Sequence, residues 1–269
     1  IFGALCSMGA GFAGMSVVNQ IYPGLTRQDV STLDFLPAMA ESWEVSSDEL
    51  TWTFHLRKNI PWVYFDRDIS EVQKSIDAEG NTRFVTAYDF VAGVQRVLDP
   101  ANESWNAFLL FLIQGAQDFN DGAASKEEVG VSASDEYTLV FKLNKPSSYF
   151  DAIAELPVLS AYPSWPIERD EILKDEGLLF MGYGPYVMRE WEDDSHFVII
   201  KNPFWLSNDT ISEPIINEIF FDLEPKQDVL SAFSNNQIDA VELNNDEYVE
   251  AKSEKNIADM ISIVPGCCH

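Results

Sequence analysis

Cysteine, histidine and basic side chains are all scarce in these 269 residues, and each shortage closes off a kind of chemistry. The cysteines number three, Cys6, Cys267 and Cys268; an odd count with two adjacent makes no disulfide framework. Cys267-Cys268-His269 offers metal-binding donor types, but no second ligand pair stands at finger-like spacing, so no metal and no cofactor are expected. The histidines also number three: His55 lies on the polar face of a strand pattern, His196 begins another, and His269 is terminal. No G-x-S-x-G elbow accompanies them, which leaves nucleophilic catalysis without a constellation. Lys and Arg total 17 against 44 Asp and Glu, a formal charge of −27 that repels nucleic acid and anionic lipid headgroups. A nucleic-acid partner is therefore excluded from the expectation. Long apolar runs are missing too. The first 18 residues are apolar and glycine-rich, yet too short for a good span, and they lack the basic start of a signal peptide. Leu5-Cys6 lacks the small residue a lipobox places before its cysteine, so the chain reads as a fragment without its targeting segment.

What is present is clear patterning. Trp43-Glu44-Val45 runs into the polar turn Ser46-Ser47-Asp48-Glu49. From Thr51 to Arg57 the chain then alternates, with Trp52, Phe54 and Leu56 on one face, as a half-buried strand requires. Val85-Thr86-Ala87-Tyr88-Asp89-Phe90 opens a helix: Thr86 caps it, Asp89 completes a box-like pair, and Asp99-Pro100 stops it. Phe90, Val91, Val94, Val97 and Leu98 form its apolar face.

Further along, the pattern predicts a helical stretch from Trp105 to Phe119, a hairpin over 129–143, and a helix capped near Ser147 and ended by Pro157. Tyr162-Pro163-Ser164-Trp165-Pro166 reads as a crossing to another lobe. Residues 186–191 and 197–201 pair as a hairpin. A β-α-β unit follows: strand 215–223, helix 227–233 and strand 238–243, implying parallel strands. The segment from Pro61 to Val85 has no reading from its pattern.

Two enzyme readings compete with a binding role. Gly9-Ala10-Gly11-Phe12-Ala13-Gly14 is a literal G-x-G-x-x-G with Asp34 about twenty residues on, the pattern of an NAD(P)-dependent oxidoreductase. Against it, the following helix meets Pro23-Gly24 within a few turns, and hairpins follow where β-α alternation should. Glu190 with Glu192, or Asp193 with Asp194, would suit a carboxylate hydrolase, although coincidental pairs are expected among 44 acids. Aromatics are more suggestive. Trp52, Phe54, Phe141 and Phe220 read as core, whereas Tyr22 beside Pro23-Gly24, Trp105, Phe108 and Tyr183 fall in loops, where flat rings beside glycine line a cleft.

The motifs, in their order, resemble one family. Ala40-Glu41-Ser42-Trp43-Glu44-Val45, Leu56-Arg57-Lys58, Val85-Thr86-Ala87 with Asp89, Leu98-Asp99-Pro100, Gly182-Tyr183-Gly184-Pro185-Tyr186, Lys201-Asn202-Pro203-Phe204-Trp205 and Asn236-Gln237-Ile238-Asp239 are similar to those of the family 5 extracellular solute-binding proteins, the peptide-binding components of bacterial ABC importers. The resemblance implies a mixed α/β (α+β) fold: a periplasmic-binding-protein type II-like lobe from residues 1–32 and 162–264, an inserted α+β domain at 33–161, and 265–269 crossing toward a missing second lobe. It implies a monomer at a periplasmic or extracytoplasmic location, lipid-anchored in its full-length form, that hands a peptide or other small solute to permease subunits. Nickel chelates, haem and oligosaccharides are other cargoes of the family. Tyr22, Pro23 and Gly24 would approach the cleft with Trp105, Phe108 and Tyr183, while Gly182, Gly184, Pro185 and Tyr186 would be structural. With half the pocket absent, the chain as given is expected to bind peptide very weakly or not at all.

Overall fold

Helix α1 (Phe12–Ile21) opens the described part of the chain and stops where Pro23 removes a backbone donor. The computed structural model describes residues 12–29, 31–165, 181–192, 195–208, 211–223, 228–241, 243–254 and 257–261. Gly9, Gly11, Asp193, Asp194 and the Cys267-Cys268-His269 end fall outside them, as does Pro166 of the expected crossing.

After α1, strands β1 (Thr26–Gln28) and β2 (Phe35–Pro37) form a short antiparallel ribbon. Strands β3 (Ala40–Val45) and β4 (Thr51–Leu56) are the hairpin expected from the alternation, and Trp52, Phe54 and Leu56 are buried. The 61–85 segment, unread in the sequence, is a second ribbon of β5 (Val63–Asp66) and β6 (Glu71–Lys74). Helix α2 (Ala87–Leu98) begins at the expected box, where Thr86 N donates to Asp89 Oδ2 at 2.8 Å, and it buries Phe90, Val94, Val97 and Leu98. Helix α3 (Ala116–Asn120), strands β7 (Val131–Asp135) and β8 (Thr138–Lys142), and helix α4 (Phe150–Glu155) complete the first half. Beyond it come β9 (Tyr186–Glu192), β10 (His196–Lys201), β11 (Glu218–Asp222), α5 (Val229–Ser234) and α6 (Asn245–Ser253).

Two antiparallel sheets carry the molecule, four strands in the order β3-β4-β8-β7 and three in the order β11-β10-β9. A continuous core joins them: Val17 and Ile21 of α1, Phe54 of β4, Phe90 of α2, Phe141 of β8 and Phe197 of β10 belong to one buried cluster. The rings interlock edge-on, Phe54 with Phe141 at 5.9 Å and Phe141 with Phe150 at 5.0 Å between centroids.

Several expectations need correction. No parallel β-α-β unit exists among the described residues. Strand β11 pairs antiparallel with β10, and Ile238–Ala240 forms no strand, because a strand exists only where a neighbour accepts its backbone groups. Phe220, expected in the core, is exposed and stacks on His196, because β11 turns Ile219 and Phe221 inward instead. The stretch 105–119 is a single-turn 3-10 helix at Ala107–Leu110 followed by the five-residue α3, separated by Gly115 at φ +69°. The helix expected from Ser147 starts at Phe150; the Ser147 hydroxyl is instead buried.

Candidate functional site

The turn after α1 is the best-anchored of the expected site segments. Tyr22 Oη donates to Met181 O at 2.6 Å, and Tyr22 O accepts from Ser160 Oγ at 3.1 Å. Pro23 O accepts from Tyr183 Oη at 3.1 Å, while that same hydroxyl accepts from Ala161 N at 3.0 Å. Leu25 N then donates to Ala154 O at 2.8 Å. Gly24 permits this approach, since a Cβ there would meet Glu155 O at 2.5 Å. Every polar group of the turn named here is spent on holding it.

The Gly182-Tyr183-Gly184 motif forms the opposing seat. Tyr183 N and Gly184 N both donate to Ile21 O, at 3.1 and 2.9 Å, and a Cβ on Gly184 would lie 2.3 Å from Gln20 O. Pro185 O accepts from Asn202 N at 2.8 Å, and Asn202 Nδ2 donates to Gly184 O, so the Asn-Pro-x-Trp motif holds the turn from behind. Tyr186 then enters β9 and its hydroxyl donates to Ile216 O.

The structure corrects the assignment of two aromatics. Tyr183 is fully buried and Tyr22 is 5% exposed, so neither ring forms an open wall. Tyr183 instead packs edge-on against Trp62 at 5.0 Å and Tyr22 at 5.9 Å. Burial raises both phenol pKa values far above the ordinary one. Beneath them Asp89, 1% exposed, accepts from Thr86 N, from Ser164 N at 2.8 Å and from Trp62 Nε1 at 3.3 Å. One carboxylate thus ties the α2 start, the β5 approach and the 162–165 crossing together. The sequence showed Asp89 as a cap, but its long-range partners carry no local signal.

Trp105 and Phe108 have the opposite fate. They are 93% and 62% exposed, on a turn whose neighbours Ala107 and Leu110 are buried as anchors. The turn packs against Pro157–Leu159, the segment that also contacts α1. Asn144 Nδ2 donates to Phe111 O and Ile113 O, at 3.0 and 3.2 Å, and fixes the loop's far end. The platform is therefore anchored through its backbone and open in its rings. Tyr149, also exposed, stands immediately before α4 and was not singled out by loop composition. Asp151 of α4 has its pKa raised by partial burial, and Glu155 Oε1 accepts from Gln28 N at 3.0 Å.

Other surface features lie apart. A groove of about 530 Å³ runs between the β5–β6 ribbon and the Pro203-Phe204 turn, and none of the expected site residues lines it. Glu190 and Glu192 flank His196 at 3.4 and 3.7 Å on the outer face of the three-stranded sheet. Among the described residues no three His, Cys, Asp or Glu side chains could hold a metal, and no helix is long and apolar enough to cross a membrane.

Residues 34–266 match the family described as bacterial extracellular solute-binding proteins, family 5 Middle, and the chain belongs to that family. The dipeptide-binding protein DppE of Bacillus subtilis is 32% identical over 202 residues, covering 72% of this chain and 32% of its own length. The periplasmic oligopeptide-binding protein OppA of Escherichia coli is 28% identical over 261 residues, covering 94% of this chain and 43% of its own. The Haemophilus influenzae OppA complex with RPPGFSPFR superposes with a TM-score of 0.70 at 27% identity, covering 90% of this chain and 44% of that one. The chain thus spans 32% to 43% of the length of these curated relatives. This is a family of solute-binding proteins, not of enzymes, and the oxidoreductase and hydrolase readings have no support from it.

Proposed function

We propose that this chain is one wall of the cleft of an ABC importer's substrate-binding protein, which captures a peptide or similar small solute outside the cytoplasm and presents it to permease subunits. The observation that carries the reading is the exposed Trp105–Phe108 platform on a rigid loop, within a chain whose relatives include oligopeptide-binding proteins. In that arrangement Tyr22-Pro23-Gly24 and Tyr183 are the foundation of the wall, and Trp105 and Phe108 its face. Flat rings give contact area at little entropy cost and accept varied side chains.

On the same reading, 33–161 is a domain inserted into a lobe made from 1–32 and 162–264, with 265–269 leading to the opposite lobe. The four-stranded sheet lies wholly in the first unit and the three-stranded sheet in the second, which supports the division. One buried cluster runs through both units, and on this reading they move together, so closure over the solute is a hinge motion against the opposite lobe, with the ligand favouring the closed population. The protein works as a monomer, anchored by lipid in its full-length form.

Ligand-observed NMR with a mixed di- to pentapeptide library at millimolar concentration tests this. Saturation transfer to peptide protons that Trp105→Ala with Phe108→Ala abolishes is the expected result. Transfer that the double substitution leaves unchanged would overturn the reading.

A further inference from the structure

Arg57, directly after β4, is a buried cation without a carboxylate partner, in a chain that has 44 Asp and Glu residues. It is 5% exposed. Its Nη2 donates to Leu206 O, and its guanidinium carbon lies over the Trp205 ring, 4.8 Å from the centroid. Its Nη1 is closed to solvent and, among the described residues, has no acceptor. Nε1 of the stacked Trp205 is in the same condition, buried and without an acceptor. Glu41, exposed on β3, acts on Arg57 through its charge, yet no ion pair joins them. Lys201 and Arg189, which are partly exposed, do have such partners in Glu213 and Glu218.

A buried charge is costly unless an opposite charge and hydrogen bonds compensate it, and an indole face supplies only part of that. Burial accordingly lowers the Arg57 pKa from its ordinary value. An open buried donor is a further cost, and here two of them occur in one stacked pair. A water molecule would accept from both, but it brings two hydrogens that need acceptors of their own. An anion only accepts, and it cancels the charge as well. We propose that Arg57 and Trp205 form a binding site for a small monovalent anion, chloride or a carboxylate of formate size, held by Arg57 Nη1 and Trp205 Nε1. Closure of both donors to solvent limits the ion to a few atoms. The ion ties the end of β4 to the Trp205-Leu206 segment beyond β10. It draws on none of the residues proposed to meet the solute.

Thermal melts of this chain in sodium chloride, sodium formate and sodium gluconate, at matched sodium concentrations, test the site. Gluconate carries the same charge and screens equally, but it is too bulky to enter. Chloride and formate are expected to raise the midpoint by about 2 °C or more over gluconate, with saturation at high concentration. Trp205→Phe keeps a ring and removes one donor, so it should shrink that difference with circular dichroism unchanged. Arg57→Met keeps the apolar stem, removes the charge and should abolish the difference. Chloride NMR reads the ion directly: the wild-type chain should broaden the chloride line, formate should reverse the broadening, and Trp205→Phe should weaken it. If Arg57→Met fails to fold, the Trp205→Phe and NMR arms decide alone. Equal midpoints in the three salts, or an anion ranking that Trp205→Phe leaves intact, would overturn the site.

Discussion

Two groups of aromatic residues in this chain look alike in sequence and behave in opposite ways. Trp62, Tyr22 and Tyr183 are sealed inside, their rings edge-on and the tyrosine hydroxyls held by backbone partners. Trp105 and Phe108 project from a fixed turn into solvent. The first group bought its order with packing and hydrogen bonds, and has nothing left with which to meet a ligand. The second is held through its backbone and its buried neighbours Ala107 and Leu110, and its rings remain largely exposed. Position in a loop does not distinguish these cases; the presence of a buried hydrogen-bond partner does.

The contrast breaks most visibly at Trp62. Trp62→Ala empties a large, 1%-exposed site, and a loss of about 3–5 kcal/mol is expected from the lowered midpoint of chemical denaturation. Asp89→Ala comes next. It strands Thr86 N, Ser164 N and Trp62 Nε1 in the interior, at a cost of about 2–4 kcal/mol in the same measurement, with Asp89→Asn milder. Tyr183→Phe keeps the ring and removes the hydroxyl shared by Pro23 O and Ala161 N, so about 1–2 kcal/mol is expected. Trp105→Ala should shift the midpoint by less than about 0.5 kcal/mol, as exposed substitutions do.

The smallest effect concerns acid. Asp48, Asp77 and Asp135 have pKa values below their ordinary 3.8, led by hydrogen bonds from Ser46, Asn81 and Tyr137 respectively. A lowered carboxyl pKa means the folded state holds fewer protons than the unfolded chain. The stability these turns add is therefore present above about pH 4 and lost as pH falls through their folded values. Thermal melts at pH 7, 4 and 3 should show the decline confined to the last step, and replacing Asp77 with Asn should reduce it slightly.

The sequence made some of this legible for identifiable reasons. The β3–β4 hairpin was readable because Trp52, Phe54 and Leu56 alternate without a break, and α2 because its cap, stripe and proline stop agree. Trp105 and Phe108 were readable as loop aromatics because they follow a helix stop and fit no strand, and both are exposed. Tyr183 carried the same loop signature, and only its long-range bonds to Pro23 and Ala161 revealed a core residue. Phe220 failed for a different reason: a strand's period is two, so one residue of register decides which side faces inward. The β5–β6 ribbon was unreadable because its four-residue strands are too short to show a period; they pair with each other, and Val63 also bridges distant Gly182. Asp89 was half legible, its cap being local and its bonds to Trp62 and Ser164 not.

The difference between sealed and open rings can be read directly from the indole N–H resonances of the chain's seven tryptophans during titration with a short peptide. Assigned with Trp105→Phe, the Trp105 signal should move progressively with added peptide while that of Trp62 stays in place. Movement of Trp62 with Trp105 unaffected would contradict the account, because the solute would then be meeting the buried knot and not the exposed platform.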